Sequence, residues 1–109
     1  MTVKELCKAA DFSPVTELSD ETVNGAYACD LLSWIIGRAN ENAALVTVMT
    51  NVNVIAVAVM AELSCVILTE GVRLDDAALV KAQQNGVSVL SSQMPTYETC
   101  LLINDLLKS

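Results

Sequence analysis

Apolar and polar positions along this chain fall into short blocks whose period changes, and the changes mark out its elements. Thr2, Val3, Lys4 and Glu5 have the form of a capping box, in which the Thr2 hydroxyl accepts from the Glu5 amide while the Glu5 carboxylate reaches back. A first helix is expected from here to about Ala10. Pro14 interrupts the pattern, and the polar stretch from Asp11 to Asn24 reads as a loop with room for one short strand.

From Gly25 onward short apolar runs alternate with longer amphipathic ones. The short runs, Gly25 to Cys29, Leu45 to Met49, Cys65 to Thr69 and Val87 to Leu90, are nearly continuous in apolar residues, as befits strands covered on both faces. Between and after them lie helical candidates at Leu31 to Ala39, Val52 to Leu63, Asp76 to Gln84 and Tyr97 to Lys108. The helix from Asp76 is the best marked. Asp75 stands as its N-cap, Leu74 and Leu79 are spaced as a hydrophobic staple, and Asn85-Gly86 is placed to end it in left-handed geometry. The β-branched run Val52 to Met60 suits a strand equally well on propensity. Spacing decides for a helix, because parallel strands at Leu45 and Cys65 need a crossover between them.

Alternation of this kind gives an α/β fold, a parallel or mixed sheet of about four to five short strands with helices on both faces. No composition shift or linker divides the chain, so residues 1–109 are expected to form one domain.

Charge narrows the function. Thirteen acidic residues against six basic ones give a net charge of −7, and the cations Lys4, Lys8, Arg38, Arg73, Lys81 and Lys108 are scattered. No basic patch is present to neutralise a nucleic-acid backbone or an anionic membrane surface. Apolar residues make up 53% of the chain but aromatics only 4%, too few for a base-stacking platform. The charge-free interval between Glu41 and Glu62 is long enough for a membrane span, but Asn51 and Asn53 interrupt it and no aromatic or basic belt flanks it. A buried strand followed by a buried helix accounts for it better. That helix, Val52 to Leu63, is apolar around most of its circumference, so an exposed remainder and a homodimer or larger closed oligomer through it are expected.

Cys7, Cys29, Cys65 and Cys100 form no CxxC pair, and the chain has no histidine, which argues against zinc. Free, mostly buried thiols in a cytoplasmic protein are expected. No Walker A loop or GxGxxG occurs among the four glycines, and no base pairs with a serine or cysteine nucleophile. Neither a cofactor nor catalysis is expected.

In parallel sheets ligands bind outside the carboxyl ends of the strands. The residues leaving the strand candidates here are Asp30, then Thr50 and Asn51, then Thr69, Glu70 and Gly71, then Ser91 and Ser92, with Arg73 the nearest cation. Such a row could hydrogen-bond a small polar or anionic ligand, with the following helix N-termini adding free amides. Equally, Asp30, Asn51 and Thr96 could be helix caps and the serines turn formers.

The stretch Asp20, Glu21, Thr22, Val23, Asn24, Gly25, Ala26, Tyr27, Ala28, Cys29, Asp30, Leu31, Leu32, Ser33 resembles the signature region of DRTGG domains. So do Thr50 to Val59, Val66 to Gly71 with its Thr-Glu-Gly ending, Val87 to Ser92, and Thr96-Tyr97-Glu98. Asp20 and Gly25 keep the family's residues, while Glu21, Asn24 and Ala26 stand where it tends to have Arg, Thr and Gly. The resemblance implies a regulatory or accessory role: such domains are fused to nucleotide-sensing CBS domains and to phosphotransacetylases, and are similar to the N-terminal domain of HPr kinase. A non-enzymatic sensing module for a nucleotide-like or other small anionic metabolite at the strand-end row is the implied function, with a structural or protein-interaction domain as the alternative. An accessory domain of a phosphotransfer enzyme is a third.

Overall fold

A computed structural model describes residues 1–108. The Thr2 capping box forms and starts helix α1 (Val3–Ala10), which Asp11 ends in left-handed geometry. Strands β1 (Ser13–Pro14), β2 (Gly25–Ala28), β3 (Ala43–Thr47), β4 (Cys65–Leu68) and β5 (Val89–Ser91) alternate from β2 onward with helices α2 (Leu32–Arg38), α3 (Val52–Met60), α4 (Asp76–Gln84) and α5 (Thr96–Lys108). The sheet order is β1-β5-β4-β3-β2, parallel from β2 to β5, with β1 added antiparallel through Ser13 and Pro14. The short strand allowed for in the polar stretch is β1, and it makes the sheet mixed.

Side-chain alternation splits the core into two layers. Leu45, Val66, Leu68 and Val89 face α2, α3 and α4, meeting Ile35, Val54, Ile55, Ala78 and Ala82. Val46, Cys65, Ile67 and Leu90 face α1 and α5, meeting Leu6 and Ile103. Three crossover helices thus share one face, while the chain leaving β5 turns to the other.

Several local expectations are corrected. The β3 run begins two residues earlier than Leu45 and ends at Thr47, and β5 begins at Val89 rather than Val87, so Ser91 lies inside the strand. Asp75 precedes α4 but makes no side-chain cap bond. Gly86 alone, at φ +66, carries the left-handed turn after α4, while Asn85 stays at negative φ. The Val87 amide closes that turn onto the Ala82 carbonyl, as in a Schellman motif. Leu74 is buried, but its staple partner Leu79 is only partly so.

Helix α3 stops at Met60 and lies between α2 and α4. Its neighbours cover Val54, Ile55, Val57 and Ala58, leaving Val59 and Met60 exposed at 47% and 66%. Most of the apolar circumference expected to form an oligomer surface is therefore used inside the monomer. The charge-free interval resolves into β3 and α3, and no described helix is long and apolar enough to cross a membrane.

Candidate functional site

Because β2 to β5 run parallel, the residues leaving them reach one edge of the sheet. The chain leaving β4 goes to α4 on one face and the chain leaving β5 goes to α5 on the other. Divergence of adjacent connections normally opens a crevice. Here the two connections bond to each other instead.

The bonds are numerous. Thr69, fully buried, shares a hydrogen bond of 2.7 Å between its hydroxyl and that of Thr96. Glu70 donates its amide to the Met94 carbonyl, and Gly71 donates its own to the Ser92 carbonyl. The Glu70 Oε2 accepts the Thr96 amide at 2.7 Å, placing a carboxylate at the positive end of α5. The Ser92 hydroxyl bonds that of Thr99 at 2.9 Å and accepts the Met94 amide at 3.2 Å. To reach this geometry Glu70 adopts φ +61, unusual for a residue with a side chain, and Gly71 follows at φ +68. A Cβ on Gly71 would stand 2.8 Å from the Gln93 Oε1, so side-chain bulk there meets both a left-handed backbone and the Gln93 amide.

The β2–β3 side is built differently. Asp30 is exposed, and its Oδ1 accepts the Thr47 hydroxyl at 2.6 Å and the Val48 amide at 3.0 Å, tying together the ends of β2 and β3. It does not cap α2, whose N-cap is Leu31 without a side-chain bond. Thr50 donates its hydroxyl to Asp75 Oδ1 at 3.0 Å and accepts the Asp75 amide on its carbonyl, so Asp75 ties the end of β3 to the start of α4. Asn51 caps α3, its Oδ1 accepting from the Asn53 and Val54 amides. Arg73 is exposed and pairs with Asp76 at 3.5 Å.

The expected site residues thus separate. Thr69, Glu70, Gly71 and Ser92 form one knot, with Asp30, Thr50 and Asn51 on the other side. Ser91 pairs with Leu68 and Ser13 in the sheet, and with Ser92 it borders a cavity of about 270 Å³ beside Phe12 and Gln93. That cavity does not extend to Asp30, Thr50 or Glu70. Larger hollows lie elsewhere, one of about 390 Å³ at the opposite end of the sheet between Thr16 and Val87, and one of about 490 Å³ between β2 and α5.

Five residues that complete these networks had no place in the expected row: Thr47, Asp75, Met94, Thr96 and Thr99. Thr96 and Thr99 carry a signal, two hydroxyls one helical turn apart at a helix start. The partnership of Thr50 with Asp75, residues 25 apart in sequence, carries none.

Chemically the edge is rich in acceptors and poor in activated groups. All four cysteines are free, and burial pushes the Cys65 thiol up to about 12 and raises those of Cys7 and Cys100. A raised thiol pKa suppresses the nucleophilic thiolate. Among the described residues, no group of three His, Cys, Asp or Glu side chains is placed to hold a metal ion. No buried side-chain oxygen or nitrogen lacks a partner among them.

The DRTGG-domain profile matches residues 28–106. The chain belongs to the DRTGG-domain family. Because the match starts at residue 28, Asp20 to Tyr27, with the Glu21 charge reversal, fall outside it. No curated protein matches the chain. Among solved structures it resembles the CBS and DRTGG domains of the regulatory region of Clostridium perfringens pyrophosphatase, complexed with the activator diadenosine tetraphosphate. The TM-score is 0.70 at 11% identity, covering 94% of this chain and 45% of the other. This DRTGG chain therefore spans less than half of that structure, and at such identity the likeness shows a common fold.

Proposed function

We propose that this DRTGG domain is a regulatory module with no catalytic activity of its own. It receives a small nucleotide-like metabolite on the β2–β3 side of the strand-end edge, around Asp30, Thr50, Asn51 and Asp75. The observation that carries the proposal is the division of the edge: the chains leaving β4 and β5 close on each other through the Thr69–Thr96 hydroxyl pair and the bonds of Glu70 and Gly71, while Asp30, Asn51 and Asp75 remain exposed. Water already competes for the bonds of the exposed groups, so a ligand can replace them at small cost. The structural neighbour is a regulatory region bound to a dinucleotide activator, which agrees with a ligand of this general class.

The charge on this edge sets which part of such a ligand is recognised. Asp30, Glu70 and Asp75 stand against Arg73, itself paired with Asp76. A polyphosphate would meet net negative charge, whereas ribose hydroxyls and a base amino group are donors that these carboxylates can accept. Recognition therefore falls on the nucleoside part, and phosphates point outward.

A thermal-shift series of nucleosides, nucleotides and dinucleotides tests this. A ligand at a hundred times its dissociation constant adds about 2.7 kcal/mol to stability, a readily measured shift. The expected result is stabilisation by a nucleoside at least as large as by its triphosphate. Stabilisation that grows with phosphate number would contradict the assignment. No response to any compound would leave the protein-interaction role as the better account of the fold.

A further inference from the structure

A sheet exposes unpaired backbone groups at its two outer strands, and here the two edges differ. β1 is two residues long and contains Pro14, which has no amide hydrogen to offer a further strand. β2, at the other edge, is Gly-Ala-Tyr-Ala over Gly25–Ala28, with neither proline nor charge. Short length, proline and charged side chains are the devices by which sheets avoid pairing edge to edge. β1 has two of them. β2, though itself brief, has no blocking residue.

The surface on both sides of β2 is mainly apolar, with Asn24, Asn104 and Lys108 the polar residues on the α5 side. On one side α2 exposes Trp34 at 47%. On the other, Ala26 and Ala28 are exposed beside the groove of about 490 Å³ walled by Ile103 and Leu107 of α5.

Charge selects the occupant. Two copies of a chain with net charge −7 oppose carboxylates over most of any shared surface. Residues 22–40 are an exception: they contain one acid, Asp30, held by Thr47 and Val48, and one base, Arg38, stacked 3.9 Å from the Trp34 ring centre. We propose that β2 pairs antiparallel with β2 of a second copy about a two-fold axis, so that two five-stranded sheets become one continuous sheet. With Tyr27 on the axis, Ala26 of one copy lies opposite Ala28 of the other on the face that carries α5. Those small side chains let the two α5 helices approach across the junction, and the grooves merge into one buried seam. The interface lies on the β2 edge and not on α3, most of whose apolar surface α2 and α4 already cover.

Light scattering after size-exclusion, over a wide concentration series, tests the proposal. The wild-type chain is expected at twice its 11.6 kDa mass, Ala28→Lys and Ala26→Lys at the single-chain mass with unchanged circular dichroism, and Met60→Lys at twice the mass. A monomeric wild type at every concentration overturns the proposal. So does a dimer that survives both alanine substitutions, or one abolished by Met60→Lys alone. If the lysine variants fail to fold, amide exchange on the wild type still decides: protection of the Ala26 and Ala28 amides must rise with concentration, and concentration-independent exchange overturns the pairing. None of these outcomes depends on whether the strand-end edge binds a ligand.

Discussion

At the carboxyl ends of β4 and β5 the hydroxyls of Thr69, Ser92 and Thr99 are buried and paired, Thr69 with Thr96 and Ser92 with Thr99, whereas at the ends of β2 and β3 Asp30 and Asn51 are exposed and Thr50 is partly so. Both sets are polar residues following apolar strands, so their sequence context is nearly the same. What separates them is where the chain goes next. The connection from β5 turns to the opposite face and must start α5 over the sheet edge, which brings Met94 and Thr96 onto the residues leaving β4. The connections from β2 and β3 both turn to the same face and are joined through the carboxylate of Asp30, which stays exposed. A polar residue at a strand end is therefore a candidate for binding only where the topology leaves its own side chain in water.

Substitutions can break this contrast, and the largest effect should come from the core beneath both sides. Leu68→Ala removes a fully buried side chain from the central strand β4 and should lower stability by about 2 to 5 kcal/mol in urea unfolding. Both sides should weaken together. A loss confined to one side would mean that they are not supported by a common core.

Within the β4–β5 knot, Ser92→Ala leaves the Met94 amide without its acceptor and removes one partner of buried Thr99. A loss of about 1 to 3 kcal/mol is expected, with the ligand affinity of the folded protein unchanged. If affinity falls while stability holds, the knot belongs to the binding surface and the division of the edge is wrong.

Glu70→Gln keeps an acceptor for the Thr96 amide but removes the charge at the α5 N-terminus. The expected cost is about 0.3 to 1 kcal/mol, smaller at high salt. An effect insensitive to salt would show that the hydrogen bond matters and the charge does not.

On the open side, Thr50→Val should change stability by less than about 0.5 kcal/mol. The bond to Asp75 is partly exposed and easily replaced by water. The same substitution should weaken nucleoside binding, the reverse of the pattern at Ser92.

Much of the fold is legible in the sequence because local chemistry and tertiary packing agree. The Thr2 capping box, the Asn51 cap of α3 and the pure apolar runs of β3 and β4 each declare themselves within a few residues. Legibility fails where a partner is distant in sequence. Asp75 and Asp30 look like helix caps, yet tertiary partners claim both carboxylates: the Thr50 hydroxyl for Asp75, the Thr47 hydroxyl and Val48 amide for Asp30. Val52 to Met60 looks like an exposed apolar face because no local feature shows that α2 and α4 will flank it. The candidate residues could be listed from the ends of the strands, but their separation into a closed knot and an open side depends on the face to which α5 turns.

The most direct test of that separation is a heteronuclear NMR titration of the isotope-labelled chain with the best nucleoside from the thermal-shift series. Shift changes are expected at the amides of Leu31, Val48, Asn51 and Asp75, while those of Gly71, Met94 and Thr96 stay still. Changes centred on Gly71 and Thr96 would contradict the account, because they would place the ligand in the crevice that the knot is said to close.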